Sequence, residues 1–450
     1  MRRITGLVFL VSLAAGCTNP SAEFTDTFAT ANIAQQSAPH PAGQGTPTAM
    51  PTEDESDGDT SAIVFPKIDR SPEAQLGIRQ TPDSEPVYDP MSIYTMGLDL
   101  MNQDLSGLDL RNSLENMRMA AFDKRTTWPS PENLPPGFDP QQIMEQGKKP
   151  GPGVRSLHAQ GITGQGVGIA FIGEPILVDH TEFADRLRLY EEAEDVGRTP
   201  AHIWSMMSVS AAAGKTTGVA PGVDLYYMAT WWGKLDPSGV YMGDLTYATS
   251  AIRRLLAINE QLPPDHKIRV IVLHTGIKFG NFNMGKCEAA LEEARAAGML
   301  VIEAYGTGGD GRPLLGVSEG LVLEGLGRDP LADPEVFESY TFWESLTRYQ
   351  YGPERYFGED QLFFPNDSRT LAGDSGVDAY TFARQGGNFS SSLAGAYALA
   401  AQVDPGITPA RFFELAKQTG RSWQATYNGT AYTLGPVLDL PALIAALKNP

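Results

Sequence analysis

The amino-acid sequence predicts an α/β fold, a parallel sheet sandwiched between helices, carried behind a long disordered amino-terminal tether. Three observations predict it. Short β-rich apolar runs alternate with helix-periodic stretches from about residue 151 to 450. Glycines bracket the first of those runs, as turns into a buried strand require. Residues 18–85 hold few large apolar side chains and cannot offset the entropy of ordering.

Composition narrows the function classes. Lys plus Arg is 34 against Asp plus Glu at 54, a formal charge of −20. That balance argues against nucleic acid as a partner, because phosphate recognition needs clustered cations. Only Cys17 and Cys287 occur, too few for a disulfide framework or for zinc-ligand spacing. No clustered carboxylates of calcium-site spacing stand out, so neither a metal nor another cofactor is expected.

Arg2 and Arg3 precede an apolar run from Ile4 to Leu13, then Ala14-Ala15-Gly16-Cys17. The run is too short to span a bilayer, which takes about 20 residues, and it reads as a secretory signal. Small residues directly before Cys17 resemble the lipobox of bacterial lipoproteins, with Ala14 where leucine is usual. That resemblance implies lipidation at Cys17 and an extracytoplasmic, membrane-anchored protein. Residues 1–17 are then the signal and 18–85 the linker.

Apolar residues return within 86–150. Leu100, Leu105 and Leu110 are five apart, faintly like a pentapeptide repeat, but two rungs cannot make a stable solenoid. The segment is expected to be an ordered strap packed on the main domain. Pro-rich sequence and the turn Lys148-Lys149-Pro150-Gly151-Pro152-Gly153 place the start of that domain near 151.

Beyond it, residues 167–172, 224–228, 270–273 and 299–304 read as strands, and 245–256 and 287–297 as helices. Ligands of such sheets bind at the carboxyl ends of the strands.

Four stretches then carry a family resemblance. Gly161-Ile162-Thr163-Gly164-Gln165-Gly166-Val167-Gly168-Ile169-Ala170-Phe171-Ile172 opens the domain, and His180-Thr181-Glu182-Phe183 follows it. Gly218-Val219-Ala220-Pro221 enters the next strand, and Leu393-Ala394-Gly395-Ala396 precedes Asp404-Pro405-Gly406-Ile407-Thr408-Pro409. In this order, over about 150–425, they resemble the subtilisin-like serine peptidases (subtilases). The resemblance implies an Asp-His-Ser triad with an Asn side chain at the oxyanion.

This sequence departs from that pattern at each position. The aspartate after the first strand is replaced by Gly173, in Phe171-Ile172-Gly173-Glu174. Glu174 is adjacent, but strand alternation aims it to the other face, as a solvated or loop-bonded carboxylate. For the histidine, matching Val209, Ser210 and Gly214 to the family helix puts Trp204 in its place. A shift of two restores His202 but puts Met207 at a small-residue contact, where overpacking costs about 1–3 kcal/mol. Trp204 is therefore favoured, and His202 reads as a helix-start or surface histidine.

The nucleophile position falls on Gly387, or on Asn388 with one deletion, and neither carries a hydroxyl or thiol. Ser390, Ser391 and Ser392 follow, but three residues along a helix rise about 4.5 Å, so they read as packing serines. Thr307 stands where the oxyanion Asn is implied. His274-Thr275-Gly276 matches the substrate-pairing segment, with His274 either lining the groove or closing a strand as a satisfied histidine.

Without a nucleophile no acyl-enzyme forms. The expectation is a lipid-anchored subtilase-fold pseudopeptidase that binds a peptide or protein by edge-strand pairing. Two alternatives stand beside it. One is an active serine endopeptidase with displaced residues, such as Ser390 and His202. The other is a structural surface lipoprotein whose groove is filled by residues 88–150.

Overall fold

A computed structural model of the chain describes residues 74–89, 97–193, 196, 199–231, 233–235, 241–274, 282–307, 313–317, 322–341, 361–365, 367–384, 389–427 and 430–449. Cys17, and with it the signal and the linker up to residue 73, lies outside them.

The central sheet has six strands, in the order Pro313–Val317, Leu300–Thr307, Ile268–Leu273, Gly168–Gly173, Asp224–Ala229 and Leu187–Glu192. The last five are parallel, and Pro313–Val317 joins antiparallel. All six residues of Gly168–Gly173 and of Asp224–Ala229 are buried, so both faces of the sheet are covered. That is why these strands read as continuous apolar runs rather than alternating ones. Helices Ile203–Ala213 and Phe389–Val403 pack together, as do Thr246–Gln261 and Met284–Ala296. The fold class expected from the sequence is the one observed.

Small residues set the closeness of one helix pair. A Cβ on Gly395 would lie 2.8 Å from the Ala212 carbonyl oxygen and 2.8 Å from Val219 Cβ. Only glycine lets Phe389–Val403 approach Ile203–Ala213 this closely. Nine successive residues of the latter, Ser205 to Ala213, are buried, so its serines must find partners inside the protein.

Residues 97–147 form a second body of structure. The strand Leu98–Asp99 pairs in parallel with Ala120–Asp123, and parallel bridges join Gln80 to Gln103 and Asp104 to Thr127. Leu100, Leu105 and Leu110 donate their backbone N–H groups to Ala121, Thr127 and Asn133. All three leucine side chains are fully buried, among Phe122, Phe138, Ile143 and Phe382. The five-residue spacing places the three leucines inside, while the segments that lie side by side are 22 or 23 residues apart in the chain.

These segments are stable because they do not stand alone. Ala120–Asp123 pairs antiparallel with Tyr380–Ala383, which pairs with Arg369–Ala372. Phe382 of that hairpin stacks against Phe122 with ring centres 5.1 Å apart. Buried guanidiniums fasten the seam: Arg369 donates to the carbonyls of Gly147, Pro150 and Thr217, and Arg384 to those of Arg118 and Arg328. Burial pulls the pKa of the Arg369 guanidinium down to about 10, still charged at neutral pH.

A five-stranded sheet of Tyr340–Thr341, Val322–Arg328, Gln361–Pro365, Thr430–Val437 and Arg421–Tyr427 completes the described sheets, with a two-stranded ribbon, Gly233–Leu235 with Tyr241–Gly243. No helix among the described residues is long and apolar enough to cross a membrane.

Candidate functional site

Parallel pairing brings Gly173, Ala229 and the end of Ile268–Leu273 side by side, because Gly173 is in register with Ala229 and Ile172 with Leu273. His274 directly follows that last strand, and its backbone N–H donates to the Ile172 carbonyl at 2.9 Å. The helix Ile203–Ala213 begins over this end of the sheet, with the His202 backbone N–H donating to the Pro175 carbonyl.

Gly173 is closely crowded. A Cβ built on it would lie 2.9 Å from Tyr227 Oη, 3.0 Å from His274 Cβ and 3.2 Å from Ser205 Oγ. The Tyr227 hydroxyl donates to the Glu174 carbonyl at 2.5 Å, fixing the backbone just beyond.

Glu174 corrects the expectation drawn from strand alternation. It lies one residue past the strand, at a bend in the chain, so alternation no longer dictates its direction. Its carboxylate turns into the sheet end, where Oε2 accepts from Ser205 Oγ at 3.1 Å. The same oxygen is 3.8 Å from His202 Nδ1 and 3.9 Å from His274 Nδ1.

His274 is buried, and its Nε2 shares a short hydrogen bond with Ser208 Oγ. Burial lowers its pKa to about 4, against a smaller upward pull from Glu174, so the ring is neutral at neutral pH. Burial pushes the nearby Asp374 carboxyl up to about 6, while His202 and Arg125 pull it down. His202 caps the helix start with its side chain 36% exposed, yet its Nδ1 is buried and makes no hydrogen bond. Among the described residues, no set of three His, Cys, Asp or Glu side chains is disposed to hold a metal ion.

Trp204 does not face this cluster. It packs with Met101, Ala121, Met207, Leu371 and Ala383, in the seam between the helix and residues 97–147. Ser205, one residue on, is the helix residue that reaches Gly173 and Glu174. Thr307 ends the strand Leu300–Thr307. Gly387, Asn388, Thr275 and Gly276 lie outside the described residues. Ser391 and Ser392 are fully buried in Phe389–Val403, in keeping with packing serines.

Sequence reasoning missed the Ser208–His274 pair, which joins residues far apart in the chain. One signal for it existed: a serine inside a wholly apolar helix needs a buried partner.

A second polar cluster lies at the other end of the same helix. Glu182 is buried and accepts from the backbone N–H groups of Thr216 and Thr217, from Thr217 Oγ1 and from the Tyr380 hydroxyl. Burial pushes its carboxyl up, but the donors outweigh burial and hold it below the usual range.

No protein-family model matches the chain, and no curated protein matches it. Solved structures to which it is similar include the prenylagaramide maturation protease PagA, at 13% identity and TM-score 0.41, over 66% of this chain and 98% of that one. Another is a cold-adapted subtilisin-like serine proteinase, at 15% identity and TM-score 0.37, over 57% of this chain and 83% of that one.

Proposed function

We propose that this protein is a catalytically inactive, subtilase-type scaffold, tethered to the cell surface through a lipid on Cys17, whose cleft binds an extended peptide or protein segment. The observation that carries it is Gly173. At the position the ordered motifs assign to the orienting acid, the chain has no side chain, and Tyr227, His274 and Ser205 crowd the place where a Cβ would sit. An acid at this position would have to displace Tyr227, His274 and Ser205, and the positions assigned to the nucleophile, Gly387 or Asn388, have no reactive oxygen or sulfur.

The test is labelling of the purified protein with a fluorophosphonate, together with turnover of casein. The reading expects neither. Saturable calorimetric binding of extended peptides would support the cleft as a binding groove, and its absence across a library would remove that part. Radiolabelled palmitate incorporated by the native chain and not by Cys17→Ala tests the anchor.

A second reading has one observation in its favour. Ser208, His274 and Glu174 stand in the order nucleophile, base, acid, with Ser208 Oγ hydrogen bonded to His274 Nε2. Against it, Ser208 is 1% exposed in mid-helix, where no peptide carbonyl reaches its oxygen. Fluorophosphonate labelling at Ser208 would make the protein an active hydrolase and end the inactive-scaffold reading.

A further inference from the structure

Three polar atoms converge at the carboxyl end of the sheet without satisfying one another. Glu174 Oε2 lies 3.8 Å from His202 Nδ1 and 3.9 Å from His274 Nδ1, both beyond hydrogen-bond reach. Glu174 has one hydrogen bond to its carboxylate oxygens among the described residues, from Ser205 Oγ. His202 Nδ1 is buried with none. The His274 side chain is only 8% exposed and points Nδ1 at the same oxygen. Separations of this length can be completed by a group that hydrogen bonds to both partners from beside the line joining them.

The charge of the surroundings decides what kind. His274 stays neutral under ordinary conditions, so it brings no cation to Glu174. An anion would meet the carboxylate head on. A primary ammonium has three N–H donors and a positive charge, which matches one carboxylate and the ring nitrogens that face it. For His274 this match takes the tautomer in which Nε2–H donates to Ser208 Oγ, which leaves the Nδ1 lone pair toward Glu174. The His202 side chain, 36% exposed, brings the cluster to the solvent boundary.

We infer that Glu174, His202 and His274 form a subsite for a primary ammonium group of the bound peptide, a lysine side chain or a free α-amine. The assignment rests on the cleft being a peptide groove. It names the feature of the peptide that the groove selects.

The experiment uses the full chain and follows the ring carbons of His202 and His274 by NMR. It titrates methylammonium, an amino-acetylated peptide containing lysine, the same peptide with acetyl-lysine, and a lysine-free peptide with a free amine. Methylammonium should shift both rings saturably, and Glu174→Gln should weaken this at least tenfold. His202→Leu, at the half-exposed helix start, should weaken it as well and guards against a folding defect in the first variant. The lysine and free-amine arms tell which source the subsite takes.

Equal shifts from lysine and acetyl-lysine peptides would overturn the ammonium assignment while leaving peptide binding intact. Methylammonium binding without any peptide binding would keep the subsite and remove the peptide groove. No response to any amine would mean that water fills the gap, and would overturn the assignment.

Discussion

Two carboxylates flank one helix, Glu182 buried and Glu174 part-buried, and they are treated in opposite ways. Glu182, near the last turn of Ile203–Ala213, receives four hydrogen bonds and has its charge fully answered. Glu174, at the first turn, receives one and faces two imidazole nitrogens it does not touch. A saturated carboxylate holds structure; an unsaturated one costs stability unless something else completes it. The difference separates a carboxylate built into the packing of the domain from one that the protein's own donors leave largely unanswered.

The largest effect should come from the saturated side. Glu182→Ala strands the Thr216 and Thr217 donors in a buried site and should cost about 3 kcal/mol, read as a shifted urea midpoint. Loss of the native fold's cooperativity would confirm the role more strongly still; a change under about 0.5 kcal/mol would break the comparison. Its pH signature has a definite sign. Because the folded pKa is depressed, this stability is present above the unfolded value near 4.5 and is lost as pH falls through the lower folded value.

His274 titrates with the same sign in a higher window. Its folded value of about 4 lies below the ordinary 6.5, so the unfolded state takes up the proton first. Stability should fall by about 3 kcal/mol as pH drops from 6.5 to 4, and His274→Gln should flatten that slope in urea titrations.

Gly173→Ala comes next. Its added methyl collides with Tyr227, His274 and Ser205 and should cost about 2 kcal/mol. A neutral result would show that the site has room for an acid after all. Smallest is Glu174→Gln, expected to leave the urea midpoint within about 0.5 kcal/mol while lowering the His274 pKa further, since the Glu174 charge is what pulls it up. A midpoint loss as large as that of Glu182→Ala would make both carboxylates structural.

The strands buried on both faces are legible in the sequence because continuous apolar runs announce them, as in 167–172 and 270–273, the latter short of the observed start at Ile268 because Arg269 interrupts the run. The edge strand Leu187–Glu192 is not, because Arg188, Glu191 and Glu192 break its apolar pattern where one side of the ladder is open. At the site, the missing acid at Gly173 can be read in register from the strand. The direction of Glu174 cannot, since the alternation rule stops where the strand ends and the chain bends. The Ser208–His274 bond depends on how a helix settles on a sheet, which no local pattern encodes.

The shared ladder of Ala120–Asp123 with Tyr380–Ala383 bears on how the protein matures. A segment that supplies a strand, an aromatic neighbour for Phe382 and carbonyl acceptors for Arg369 and Arg384 cannot be shed like a wrapper. Clipping between the two would strip a sheet of its neighbour and bare its row of amides, a template for aggregation. Any processing that leaves a working molecule must cut before Leu98.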